Sequence, residues 1–280
     1  MTTLDREVLL GHLEQLPSLP QVVSELLSSF ASEEVDVGTI AEQIAHDQAL
    51  AARVLRVANS SFYGLQCKVG TINEAVVVLG FRAVRSMVLA VGVNGVFKPE
   101  RCPGFDISGY LRHCVGVGMV ARQLAPACSH SPEQAFVGGV LHDIGQLLLA
   151  DIFPEQFAAV LRYRQQHDCP MAIAERDVLG IDHAEVGGLL ARAWRFPEAL
   201  QEAIADHHAP ATALNGSLAN LIHVADAVAH GLGLAHQADE MVMPVDRTAW
   251  NRLGLDGNQI VELLPAVMSG FDETCQALGC

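Results

Sequence analysis

Short apolar runs alternate with capping and breaking residues along this chain, at intervals that suit helices. The turn Leu16-Pro17-Ser18-Leu19-Pro20 precedes an apolar-periodic stretch over residues 22–30, and a second helix is expected over 37–45. Asp47 opens a third, carrying Leu50, Val54, Leu55 and Ala58, and Asn59-Ser60-Ser61 ends it. Thr71 and Glu74 have capping-box spacing ahead of residues 75–79, with Gly80 as a stop. Residues 81–93 read as another helix, and the two prolines and glycine within 98–104 read as a connector.

Beyond the connector the same grammar recurs. Ser108 is the expected cap of a helix reaching about Ala125, stopped by Pro126. Ser131-Pro132-Glu133-Gln134 is a fuller start signal, and its helix carries Val137, Val140 and Leu141 into His142-Asp143. Pro154 and Pro170 open two more helices, and Asp182 with Glu185 caps one that has His183 in its first turn. Pro197 opens the next, which runs to His207-His208 and is stopped by Pro210; the last clear helix, residues 218–230, holds Asp226. No alternating β pattern of useful length and no internal repeat is present. The expected fold is all-α in two lobes, residues 1–103 and 104–235, with a helical extension over 236–280.

Composition narrows the setting. Half of the 280 residues are hydrophobic and 18% are charged, ample for a large core. The seven cysteines are scattered without a CxxC pair, which suits reduced thiols acting as small buried hydrophobes. The start carries acid early and lacks a basic region, and the most apolar stretch, residues 86–97, is too short to span a bilayer. A cytoplasmic protein without membrane partners is expected. Net charge is −15, from 32 acidic and 17 basic residues with no Lys or Arg cluster, which argues against nucleic acid as a partner. Lys68 and Lys98 are the only lysines, so phosphate bound further along must rely on arginine, backbone amides or metal.

The chemistry concentrates in seven candidate ligands: His113, His142, Asp143, His183, His207, His208 and Asp226. The two adjacent pairs lie among single donors at spacings of 29, 40, 24 and 18 residues, so only a folded bundle could gather them. Imidazole mixed with carboxylate favours a divalent transition metal, Fe or Mn first with Zn or Ni as alternatives. A carboxylate can bridge, so the set fills one site or shares two. The competing reading is that these are ordinary core and surface histidines, since seven of the twelve histidines lie outside the set.

Other residues have bearing on the same site. His223 and His230 share a helix face with Asp226 and suit supporting or surface roles. Asp47 of the second His-Asp dipeptide, His46-Asp47, is an N-cap. Arg112, Arg122, Arg192 and Arg195 are the phosphate-contact candidates, Arg112 foremost because it adjoins His113; otherwise they are solvated helix-face arginines. Trp194, Phe196 and Pro197 form an aromatic corner that packs the lobe. Residues 59–64 are polar and aromatic, as suits a loop docked on the other lobe or a partner surface.

Two long patterns, in order, resemble one family. LPSLP, AHDQALAARVLRVANSSFYG and INEAVVVLGFRAVRSM are similar to the amino-terminal half of the HDOD output domain. LRHC, GGVLHDIGQ, ERDVLGIDHAEVGGLLARAWRFPEALQEAIADHH and VAD resemble its HD-like half, and together the likeness runs from about Leu13 to about Gly231. The resemblance implies a bacterial signalling module related to HD phosphohydrolases. HDOD members often lack intact ligands; here His113, His142-Asp143 and Asp226 match the HD set, and His183 with His207-His208 match the extra histidines of the two-metal HD-GYP branch, which hydrolyses cyclic di-GMP. Gln146 stands where many active members have lysine, and Ala209-Pro210-Ala211-Thr212-Ala213-Leu214 replaces the GYP segment. Three functions fit: a regulatory module binding metal and acting through signalling protein partners; a metal-dependent phosphohydrolase of nucleotides or cyclic nucleotides, with Asp143 and Arg112 as its catalytic candidates; and a non-hydrolytic sensor of a phosphorylated small molecule.

Overall fold

The computed structural model describes residues 4, 6–16, 18–29, 36–213, 216–235 and 241–280, and every regular element among them is helical. Pro17, Phe30, Leu214 and residues 236–240, each named in the expectations above, lie outside the described residues. The first half comprises α1 (Arg6–Glu14), α2 (Gln21–Ser28), α3 (Val37–His46), α4 (Gln48–Ala58), α5 (Ile72–Leu79) and α6 (Phe81–Asn94). The second comprises α7 (Ile107–Leu124), α8 (Pro132–Leu141), α9 (Ile144–Ile152), α10 (Pro154–His167), α11 (Met171–Leu179), α12 (His183–Ala193), α13 (Glu198–Asp206) and α14 (Leu218–Gly231). Two more, α15 (Arg247–Leu253) and α16 (Gly257–Leu278), follow.

Side-chain caps place most starts where the sequence puts them. Asp47 accepts from the Leu50 amide at 3.0 Å, and Asp182 from the Glu185 amide at 2.9 Å. Two details differ. The cap of α7 is Asp106, which accepts from the Gly109 amide at 3.0 Å; Ser108 is already inside the helix. Glu74 bonds the Gly70 amide at 2.7 Å, one residue beyond the Thr71 it was expected to reach. A larger difference is α9, a helix not among those expected: residues 144–149 are mostly apolar and no proline marks the break after α8. The combined segment Pro132–Ile152 is the only one among the described residues long and apolar enough to cross a membrane, and 89% of its apolar window is buried inside the protein.

One continuous core runs from Leu9 to Leu278 through both lobes. Its axis is α7, which packs against α8, α14 and α16. At the α7–α8 crossing the backbones touch: a Cβ on Gly139 would lie 2.5 Å from Gly118 Cα. The loop at residues 59–64 does dock across the lobes. Phe62 packs at 5.7 Å from Phe136, and Arg122 sits 4.7 Å over Phe62 and 4.8 Å over Tyr63. The C-terminal helix α16 fastens the same region, since Glu273 accepts from the Ser61 amide at 2.7 Å and Arg53 donates to the Leu278 carbonyl at 3.1 Å. The aromatic corner also packs, with Trp194 at 5.7 Å from Phe97 and 6.2 Å from Phe196. Of the cysteines, Cys102, Cys114 and Cys275 are buried as expected, whereas Cys67 is exposed.

Because no methyl fits at the crossing, Gly139→Ala should lose about 3 kcal/mol in urea unfolding, at the upper end of overpacking costs. Gly231→Ala, whose added Cβ would meet nothing within 4 Å, should stay within about 1 kcal/mol of the parent.

Candidate metal centre

Five segments deliver the seven donors, and five of the donors sit at or just beyond helix ends. His113 lies within α7. His142 caps the end of α8 and Asp143 begins α9; His183 is the first residue of α12; Asp226 projects from α14. Adjacent residues within a helix diverge by about 100°, but α13 ends at Asp206, so His207 and His208 lie beyond its last turn and both reach the site. His142, His183 and His207 are almost fully buried, and His208 is the exposed member.

The structure brings all seven together. His113 Nε2 lies 3.1 Å from Asp226 Oδ1, 3.3 Å from His142 Nε2 and 3.8 Å from Asp143 Oδ2. On the other side, Asp143 Oδ1 lies 3.0 Å from His183 Nε2 and 3.4 Å from both His142 Nε2 and His207 Nε2. His208 Nε2 is 2.8 Å from His183 Nε2. Asp143 therefore belongs to two donor groups, one with His113 and His142, the other with His183, His207 and His208. Bonds of about 2.0–2.2 Å to a shared ion separate neighbouring donors by about 3–4 Å, the spacing seen here.

Hydrogen bonds on the far side of each ring fix which nitrogen faces inward. His142 Nδ1 donates to the Gly139 carbonyl at 2.7 Å, and His207 Nδ1 to the Ile204 carbonyl at 2.8 Å. Carbonyls only accept, so Nδ1 carries the hydrogen and a neutral ring turns a bare Nε2 lone pair to the centre. His183 Nδ1 meets the Glu175 carboxylate at 2.6 Å, and the same oxygen accepts from the His183 amide at 2.8 Å. Asp143 Oδ1, His207 Nε2 and Asp226 Oδ1 are buried without a well-directed hydrogen bond. Inward lone pairs beside two buried carboxylates are the unsatisfied arrangement that a cation completes.

The electrostatics agree. Burial holds His142 down to about 4 against the pull of Asp143, so its ring is neutral at pH 7. Burial would raise Asp226, but His113, 3.1 Å away, brings it below the usual carboxylate range; His142 and His183 do the same for Asp143. Burial works against a charged His183, yet Glu175 and then Asp143 raise it well above its ordinary value. A cation at Nε2 would take over that role and release the proton.

Two participants carry little signal in the sequence. Glu175 is one, with no exposed surface; eight residues before His183, its only signal was an acid on an otherwise apolar helix face. Tyr110, three residues and nearly one turn before His113, is another: its buried hydroxyl has no nitrogen or oxygen partner, and burial keeps it protonated as a donor. Gln146 donates to Asp143 Oδ2 at 2.7 Å, so it orients the shared carboxylate. His223 donates to the His207 carbonyl at 2.8 Å and accepts from the Asp246 amide at 2.9 Å, a bracing role. His230 stacks on His113 at 4.4 Å and lies 3.4 Å from Asp226.

A pocket of about 690 Å³ opens over the cluster, with His113, Asp143, His183, His208 and Asp226 in its lining. Arg112 does not join them. Its guanidinium donates to the Leu234 carbonyl at 3.3 Å and to Asp272 at 3.0 Å, and lies 4.8 Å over Phe271. This corrects the expectation of Arg112 as a phosphate contact: it is anchored to α16. Arg122, as described, covers the docked loop. The arginines that do line the pocket are Arg162, Arg164 and Arg176.

The HDOD domain model matches residues 16–210. The chain belongs to the HDOD family. A Shewanella amazonensis protein, provisionally named a phosphohydrolase, is 31% identical, with 97% of this chain and 98% of that one covered at a TM-score of 0.77. An HDOD domain protein from Geobacter sulfurreducens shares the fold at 23% identity and a TM-score of 0.81, covering 98% of this chain and 99% of that one. A Treponema pallidum (strain Nichols) protein is 24% identical over 70% of this chain, which spans only 38% of that relative's length.

Removing the charge behind His183 with Glu175→Gln should weaken binding of a divalent transition metal about 10- to 100-fold in chelator competition. In the metal-free protein, His142 has a folded pKa below its unfolded value, so the unfolded chain takes up the proton first. Stability should therefore fall as the pH drops from about 6.5 towards 4, by up to about 3 kcal/mol from this group. Urea unfolding of His142→Asn should show a correspondingly smaller loss over that window.

Proposed function

We propose that this HDOD protein is a signalling module whose pocket binds a phosphorylated small molecule against one or two divalent transition-metal ions, and which passes the bound state on through protein contacts. The observation that carries this reading is the common orientation of His142, His183 and His207, each with Nδ1 engaged outward and Nε2 turned to Asp143. His113, His142, Asp143 and Asp226 would hold one ion, and Asp143, His183, His207 and His208 the other. The nitrogen–oxygen donor set favours Fe or Mn, with Zn or Ni as alternatives. Such an ion neutralises phosphoryl charge and acidifies water.

The chain's own residues define the rest. Gln146 is neutral and committed to Asp143, so the cationic contact many active relatives place at this position is missing. Tyr110 supplies a protonated donor in the pocket wall. Exposed Val77 and Val78 on α5, at 83% and 56%, offer apolar surface for a signalling partner.

Hydrolysis is the second reading. It is favoured by the open pocket over the donors and by the likeness to the Shewanella amazonensis protein. Elemental analysis of protein purified without chelator should find one to two transition-metal ions per chain, and Asp143→Ala should lose them. With Gln146 in place, the fully metallated protein should show little or no turnover of cyclic dinucleotides or nucleotide monoesters. Metal-dependent turnover abolished by Asp143→Ala would select the hydrolase, and metal-free wild-type protein that refuses reloading would reject the centre.

A further inference from the structure

The pocket has a second polar wall that the donor cluster does not explain. Arg162 and Arg164 come from the C-terminal half of α10 and Arg176 from α11, while the histidines and aspartates come from other elements. The chain as a whole carries a net charge of −15 on 17 basic residues, yet three of those converge on one cavity. Arg176 pairs with Asp182, the cap of α12, and is thereby tied to the helix that presents His183. Arg162 is exposed at the pocket. Phe105, Leu161, Met241 and Met243 supply apolar lining of the same cavity. A volume of about 690 Å³ exceeds what a single phosphate needs and suits a small organic molecule.

We propose that Arg162 and Arg164 form an anion subsite, so that the preferred ligand is an organic phosphate ester with a second acidic group. One phosphoryl group faces the donor cluster, the second group takes the guanidinium contacts, and the apolar body lies along Phe105, Met241 and Met243. Guanidinium is the natural partner for a planar or tetrahedral oxyanion, because its fork donates two parallel hydrogen bonds. The inference rests on the phosphorylated-ligand reading, but the arginine wall is testable apart from the metal.

Calorimetric titration of the full chain, metal-loaded and chelator-treated, should use inorganic phosphate, adenosine monophosphate and an adenosine bisphosphate with phosphates on two ribose hydroxyls. The bisphosphate should bind about 10-fold or more tighter than the monophosphate, the value of one charge-assisted contact. Arg162→Gln with Arg164→Gln should erase that preference, while metal content and the weaker binding of phosphate and monophosphate stay within about 2-fold. Arg56→Gln, an exposed charge on α4 outside the pocket, should change nothing. Arg162→Gln alone, at an exposed side chain, carries the test should the double variant fold poorly. Equal binding of the two adenosine phosphates by the wild type, or an unaltered preference in the arginine variants, overturns the subsite. So does absence of binding by all three probes. A bisphosphate preference that survives chelation and disappears in the variants supports the arginines even if elemental analysis has rejected the metal.

Discussion

The close approach of α7 and α8 is the constraint on which the site depends. Gly118 and Gly139 let the two backbones touch, and the histidines are hung from that contact: His113 lies five residues before Gly118, and His142 three after Gly139, whose carbonyl also holds its Nδ1. A second backbone contact of the same kind joins α9 to α12, where a Cβ on Gly145 would collide with the His183 carbonyl. Side chains can adjust by rotamer, but backbones in contact cannot. The separations among His113, His142, Asp143 and His183 are thus set by the packing of main chains, and the donors inherit their precision from it.

Such placement assembles like with like. Two carboxylates and five imidazoles converge where solvent is largely excluded, an arrangement that is costly unless each group is neutral, hydrogen-bonded or matched by opposite charge. The surroundings answer the outer half of that demand. Carbonyls and Glu175 take the Nδ1 protons, Gln146 takes one oxygen of Asp143, and His223 steadies the His207 backbone. The inner half is left to whatever occupies the centre. Cluster and pocket differ in this respect, since the pocket walls draw on arginine, phenol and methionine, which suit a larger and less symmetric guest.

Much of this was legible in the sequence because helix punctuation is local. Asp47, Thr71 and Asp182 announce their helices through bonds made within three residues, and the donor residues declare themselves by chemistry and by resemblance. What escaped was either continuous or distant. The break between α8 and α9 hides inside an apolar run because its cause is the turn at His142-Asp143, not a proline. Arg112 adjoins His113 in sequence, yet neighbours on a helix point about 100° apart, and its partners Leu234 and Asp272 lie more than a hundred residues away. Arg162 and Arg164 carry no local signal at all; only the packing of α10 against α11 and α9 brings them to the same cavity.

The order of the donors along the chain has a consequence for how the protein is made. His113, His142 and Asp143 leave the ribosome before Asp226, which follows His113 by 113 residues. At about 5–20 residues per second that interval is on the order of ten seconds. For that time α7 and α8 can meet at their glycines while their carboxylate partner on α14 does not yet exist. The full donor set therefore exists only after Asp226 has been made.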